Sequence, residues 1–109
     1  MKKSNIFAYT ELKKLVDNLQ QPHQSIKETI VTQAAYFHIL DPKYFSDELA
    51  PEWTGIREKL GYSTTVALKG QQFLKNTMLT QVESITEKEC QEIISGIHKI
   101  LSRLSHEFE

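Results

Sequence analysis

Cysteine is almost missing from this chain: a single residue, Cys90, occurs among 109. One thiol cannot form an intramolecular disulfide, so the fold must depend on an apolar core rather than on covalent cross-links. Cys90 falls on the apolar side of a predicted helix, which is typical of a small buried hydrophobic residue and not of a nucleophile. The disulfide-stabilised class of small proteins is therefore excluded.

An excess of either charge is also lacking. The chain has 13 basic and 14 acidic residues, a formal net charge of −1, and its arginines are Arg57 and Arg103 alone. This balance removes the simplest electrostatic argument for a nucleic acid or an anionic membrane surface as the partner.

Long apolar runs do not occur. No window approaches the roughly 18 apolar residues of a membrane span. The basic residues at the start are not followed by the uninterrupted apolar stretch of a signal peptide. We therefore expect a cytoplasmic protein that has no membrane partner.

Catalytic and metal-binding motifs are missing as well. The four glycines are scattered, which excludes a glycine-rich phosphate loop, and there is no Gly-x-Ser-x-Gly motif. The four histidines show none of the His-x-x-x-His or Glu-x-x-His spacings that place two ligands on one helical face. The sequence therefore predicts no metal, no cofactor and no enzymatic activity.

The nearest approach to a catalytic pair is His38 with Asp41, three residues further along the chain. A histidine near the C-terminus of a helix is favoured by the helix dipole when it is protonated, which explains His38 without any chemistry. A general base oriented by Asp41 is the alternative. Because neither a nucleophile nor a phosphate loop accompanies the pair, we favour the structural interpretation.

Helical periodicity is what the chain does contain, and it is clearest from Ile85 to Leu104. Thr86 and Glu89 have the capping-box spacing of a helix N-terminus. Apolar residues then recur at intervals of three or four, which places them on one side of a helix: Cys90, Ile93, Ile94, Ile97, Ile100, Leu101 and Leu104. Gly96 lies within this stripe and predicts a close approach by another helix, from the same chain or from a second copy.

Three further helices are predicted upstream. An amphipathic helix spans residues 6–19, and a largely apolar helix runs from Ser25 to Leu40. Pro51 suits the first turn of the third predicted helix, because a backbone N–H at that position has no partner within the helix and proline lacks this group. Gly61 is the predicted left-handed residue that ends this helix.

Residues 61–81 give the weakest signal. A loop over 61–65 is followed by apolar positions that fit a helix from Val66, with Gly70 in its middle. The β-branched run 64–66 would also suit a short strand, but a lone strand has nothing to pair with, so we favour the helix. The sequence thus predicts an all-α fold, a compact antiparallel bundle of four to five short helices in a single domain of residues 1–109.

Large aromatic residues are concentrated in the middle third of the chain, in greater number than a thin bundle easily buries. Aromatic rings are enriched at protein interfaces. We therefore predict a non-catalytic interaction module: a small subunit, adaptor or inhibitor of a larger bacterial-type assembly. Self-association of the module as a homodimer is part of this hypothesis. The predicted contact residues are Tyr36, Tyr44, Phe45 and Trp53. That these rings all pack internally around Trp53 remains an open alternative.

A nucleic-acid-binding regulator is the second hypothesis. The stretch 59–82 contains no acidic residue, and it carries Lys69 and Lys75 among many amide and hydroxyl side chains. Such side chains bind phosphate groups. Against this, arginine, which is preferred for contacts to base edges, is scarce in the chain.

Overall fold

The chain folds as an all-α protein, as the sequence predicts. The computed structural model describes residues 3–20, 25–63 and 69–108, and these ranges contain no strand. Their helices pack into a flat body whose Cα atoms extend over 37 × 32 × 18 Å. Since packed helices lie 8–10 Å apart, about two layers fit into the shortest dimension. The helices are α1 (Ile6–Leu19), α2 (Ile26–Thr32), α3 (Ala34–Ile39), α4 (Ala50–Lys59), α5 (Gln71–Ser84) and α6 (Glu87–His106), with a 3₁₀-helix at Pro42–Tyr44.

The C-terminal helix α6 is the element against which α1, α2 and α4 pack. It begins as predicted, since the side chain of Thr86 accepts a hydrogen bond from the N–H of Glu89 at 3.1 Å. The predicted apolar stripe faces the core: five of its residues are buried and the other two, Ile94 and Leu101, are partly buried. The interval pattern alone therefore identified both this helix and the side that it buries.

One helix predicted over residues 25–40 is observed as two. Gln33 leaves helical geometry, with φ −97° and ψ 18°, and separates α2 from α3. Its side-chain oxygen accepts a hydrogen bond from the amide of Asn18 on α1 at 2.9 Å. The bend allows both α2 and α3 to pack against α5. A tertiary contact therefore accompanies this break, where the sequence has neither glycine nor proline.

The predicted helix with Gly70 in its middle is wrong at that residue. Gly70 has φ 94° and ψ −176°, a backbone conformation that is open almost only to glycine. This conformation is not helical, so Gly70 lies outside α5 and immediately precedes its first residue, Gln71. The predicted start at Val66, and the alternative strand over 64–66, lie outside the described residues.

Gly96 does mark a close helix approach, and the neighbouring helix is α4 of the same chain. A Cβ atom added at Gly96 would lie 3.4 Å from the Cδ1 atom of Ile56. This is van der Waals contact, so the side chain of Ile56 already occupies the space next to Gly96, and a residue larger than alanine there would need Ile56 to move.

Gly61 ends α4 in the predicted left-handed conformation, with φ 89°. The N–H of Gly61 donates to the carbonyl of Glu58 at 3.0 Å, and the N–H of Tyr62 donates to the carbonyl of Arg57 at 2.9 Å. Together these two bonds form a Schellman motif, which satisfies the last carbonyl groups of the helix. The turn also folds Tyr62 back over α4.

We predict that Gly61→Ala lowers the free energy of unfolding by about 2 kcal/mol or more. Left-handed geometry costs a residue with a Cβ atom about 1–2 kcal/mol, and that atom would lie 2.7 Å from Cγ2 of Thr77. The control is Gly55→Ala within α4, where nothing lies within 4 Å of the added atom. It should stabilise the protein by about 0.5–1 kcal/mol. Urea unfolding of both variants measures the difference, and equal effects would contradict the assignment.

Candidate functional site

Two of the four predicted contact residues belong to the core, which corrects that part of the prediction. Trp53 is 0% exposed and Phe45 is 1% exposed. The ring of Trp53 stacks on Phe37, with centroids 5.7 Å apart, and on Phe45, with centroids 5.5 Å apart. Its indole N–H donates to the carbonyl of Leu40 at 2.6 Å. Neither Trp53 nor Phe45 therefore offers a surface to a partner in this conformation.

The other two predicted contact residues, Tyr36 and Tyr44, are half-buried at the edge of the core. Tyr44 reaches a second ring at the surface, since it packs edge to face with Phe7 at a centroid distance of 5.4 Å. Its participation in an interface stays a prediction, as does that of Tyr36. Through Phe7, Tyr44 adjoins a group of exposed apolar side chains.

This group of exposed and half-exposed apolar side chains lies around the first turn of α1, and we name it the terminal apolar surface. Ile6 is 62% exposed, Phe7 is 42% exposed and Phe108 is 43% exposed. Phe7 pairs with Tyr44, and Phe108 lies on Tyr9 with ring centroids 5.5 Å apart. The surface is formed by Ile6, Phe7, Tyr9, Tyr44 and Phe108.

The start of α1 explains why these residues are together. The side chain of Asn5 accepts a hydrogen bond from the N–H of Ala8 at 2.9 Å and fixes the first turn. Ala8 is buried, so its neighbours Phe7 and Tyr9 lie on the two flanks of the helix. At 3.6 residues per turn, the arc from Tyr9 through Ile6 to Phe7 covers about 160° of the outward side.

Lysine side chains border the terminal apolar surface. Lys13 and Lys14 are exposed on α1 about two turns after Ile6, and Lys3 is exposed three residues before the helix. The ammonium group of Lys43 lies 5.5 Å from the ring centroid of Tyr44. Glu11 forms an ion pair with Lys14 at 3.0 Å. The border therefore has an excess of positive charge.

A carboxylate from the C-terminal end joins the segments that carry this surface. Oε1 of Glu107 accepts a hydrogen bond from the N–H of Ser4 at 2.9 Å, and Oε2 accepts one from the hydroxyl of Ser46 at 2.9 Å. The N–H of Ser46 in turn donates to Oγ of Ser4 at 2.8 Å. Both serines are buried. We name this network the Glu107 clasp, because it connects residues up to 103 positions apart in the chain.

The hydrogen bonds of the clasp favour the ionised form of Glu107. Partial burial raises the pKa of this carboxyl group, but the N–H of Ser4, the hydroxyl of Ser46 and the charge of Arg103 outweigh burial. The pKa of Glu107 therefore lies below its ordinary value. The clasp is in its charged, hydrogen-bonded form at neutral pH.

The histidine and cysteine candidates do not assemble into a site. Nδ1 of His38 is buried without a hydrogen-bond partner, while Oδ1 of Asp41 accepts from the N–H of Lys43 at 2.9 Å. Cys90 is buried, and burial raises the pKa of its thiol. Within the ranges given above, no group of three or more His, Cys, Asp and Glu side chains is arranged to hold a metal ion. None of the helices seen there is long and apolar enough to cross a bilayer.

Lys69 and Lys75, the residues of the nucleic-acid hypothesis, are both exposed. Lys69 lies just before Gly70, and Lys75 lies on α5 among exposed amide side chains. Their exposure is compatible with phosphate contacts. Whether they make such contacts stays a prediction.

We predict that Glu107→Gln lowers the free energy of unfolding at neutral pH by about 1–2 kcal/mol, since charge-assisted hydrogen bonds are lost. A carboxyl group whose pKa is lowered by folding stabilises the protein above its unfolded pKa, near 4.3, and this contribution disappears as the pH falls through the folded pKa. The difference between wild type and variant should therefore shrink in acid. Urea unfolding across this pH range measures it.

Glu83→Gln is the control for this measurement, because Glu83 is an exposed carboxylate on α5. Its stability should follow that of the wild type at every pH. A Glu107→Gln variant that does the same would contradict the role given to the clasp.

Comparisons of the chain with protein-family models, with curated proteins and with solved structures found no match.

Proposed function

We propose that this protein is a non-catalytic interaction module that binds a protein partner through the terminal apolar surface. It would act as a small subunit, adaptor or inhibitor in a larger assembly. The observation that carries the proposal is the exposure of Ile6, 62%, between two aromatic pairs that are themselves only partly buried. Grouped apolar side chains on a surface are typical of binding sites, whereas scattered ones need no explanation.

The clasp supports the proposal because it makes this surface pre-organised. The clasp connects the segment before α1, the loop before α4 and the turn after α6 through Ser4, Ser46 and Glu107. These segments carry or adjoin the rings of Phe7, Tyr44 and Phe108. A surface whose rings are already positioned loses less conformational entropy when a partner binds.

The charge around the surface favours a particular kind of partner. Lys3, Lys13 and Lys43 border it, so an acidic segment with apolar side chains would be complementary. In a symmetric homodimer the same surface would meet itself, and these lysines would face one another. We therefore favour a different protein over a second copy as the partner.

Nucleic-acid binding is the second candidate, favoured by the exposure of Lys69 and Lys75 in a stretch without carboxylates. Gel-shift titration of single-stranded and duplex DNA and RNA at increasing salt distinguishes it. Binding that weakens steeply with salt and is lost in Lys75→Glu would replace the leading proposal. If Lys75→Glu still binds a protein partner through the terminal apolar surface, that result would support the leading proposal.

The leading proposal predicts that peptides selected from a displayed random library on the immobilised protein combine acidic residues with aliphatic or aromatic ones. Ile6→Glu should abolish their capture, because it puts a charge in the centre of the apolar surface. The variant should fold with a stability within about 0.5 kcal/mol of the wild type, since Ile6 is exposed and an acid suits the first turn of a helix.

Leu79→Glu is the matched control, since Leu79 is 48% exposed on α5 and lies outside the terminal apolar surface. It should bind the selected peptides as the wild type does. Equal loss in both variants, or undiminished binding by Ile6→Glu, would contradict the proposed surface. Light scattering of the free protein checks self-association, and a dimer broken by Ile6→Glu would make a second copy the occupant.

A further inference from the structure

A cleft of about 330 Å³ opens at the C-terminal end of α4, on its side next to the start of the 3₁₀-helix. Its lining includes the buried Arg57 together with Asp41, Thr54, Glu58 and Tyr62. None of these five residues belongs to the terminal apolar surface. The cleft is therefore a second candidate site, separate from that surface.

The guanidinium group of Arg57 is the unusual feature. Arg57 is 5% exposed, although arginine is rarely buried without a charged partner. Its Nη1 donates to the carbonyl of Leu40 at 3.3 Å, an acceptor that it shares with the indole of Trp53. Its Nε atom is buried without a hydrogen-bond partner. No carboxylate of the described ranges forms an ion pair with it.

Tyr62 covers one face of this guanidinium group. The Cζ atom of Arg57 lies 3.5 Å from the ring centroid of Tyr62, which is a close cation–π contact. The Schellman motif around Gly61 holds Tyr62 in place through its N–H bond to the carbonyl of Arg57. Arg57 is thus held rigidly on both its backbone and its side chain, as a residue of a binding site should be.

The local energetics are those of a buried cation that no carboxylate of the described ranges approaches closely enough for an ion pair. Burial lowers the pKa of Arg57, and nearby Tyr62 and Asp41 only partly oppose this effect. A buried charge without a counter-charge is costly, and a ligand that supplies the anion would remove much of that cost. A carboxylate matches the planar, forked donors of a guanidinium group.

The remaining lining limits which anion fits. Asp41 and Glu58 bring two carboxylates to the same cleft, so together with Arg57 the charged side chains there sum to −1. Phosphates and other polyanions would be repelled. A ligand that also carries an ammonium group would instead gain from these carboxylates. The volume is near the lower limit of small-molecule sites.

We propose that this cleft binds a small zwitterion of the free α-amino acid class, with its carboxylate towards Arg57 and its ammonium group towards Asp41 and Glu58. The rest of the lining is formed by Pro42, Thr54, Tyr62 and Ser63. The proposal does not depend on the interaction surface at the other site.

The test is an NMR titration of the ¹⁵N-labelled protein with the twenty common L-amino acids at millimolar concentrations. At least one should give saturable shifts at the amides of Thr54, Glu58 and Tyr62. Two matched probes follow for that amino acid: its decarboxylated amine and its N-acetyl derivative. Each lacks one of the two charges and should bind at least about tenfold more weakly.

Variants locate the binding site. Glu58→Gln removes one carboxylate from an exposed position, and Asp41→Asn removes the other but keeps an oxygen that can accept from Lys43. Each should weaken binding severalfold, and Arg57→Lys should weaken it at least about tenfold because the fork is lost. Glu83→Gln should leave the affinity unchanged.

The proposal is overturned if no amino acid gives saturable shifts, or if the amine or the N-acetyl derivative binds as well as the parent. It is also overturned if Glu58→Gln, folded by its spectrum, binds with unchanged affinity. Ile6→Glu should bind the amino acid normally, which separates this result from that of the interaction surface.

Discussion

Burial of the apolar face of α6 is the constraint on which the rest of the structure depends. Three helices, α1, α2 and α4, pack against it, and α5 packs in turn against α2 and α3. Where α4 crosses, Gly96 lets Ile56 approach closely. The single cysteine cannot form an intramolecular disulfide, and this face contributes five buried residues to the apolar core whose transfer from water favours folding.

Polar groups decide the details that burial leaves open. The carbonyl of Leu40, just beyond α3, accepts from both Trp53 and Arg57 and so fixes α4 relative to the end of α3. At the other end of α4, the Glu107 clasp fixes the loop before this helix against both ends of the chain. Each network lies under one proposed site: the first under the Arg57 cleft, the second under the terminal apolar surface. Rigid support of this kind is what a binding surface requires.

Much of the fold could be predicted, and the errors have physical causes. The helix N-termini at Ser25 and Thr86 and the left-handed Gly61 were predicted correctly, because each is governed by residues within one turn. The break at Gln33 was missed, since its hydrogen bond comes from α1. The apolar spacing predicts a helix through Gly70, because such spacing carries no information on a single residue with positive φ.

The sequence by itself determined that this protein is helical and which side of its last helix is buried, because 3.6-residue periodicity and capping are local properties. Only the tertiary structure decided that Trp53 and Phe45 are internal, that Phe7 and Phe108 lie on one surface with Tyr44, and that Arg57 lines a cleft. Those facts depend on contacts between residues far apart in the chain. Such contacts are set by how whole helices pack and not by any pattern within one of them.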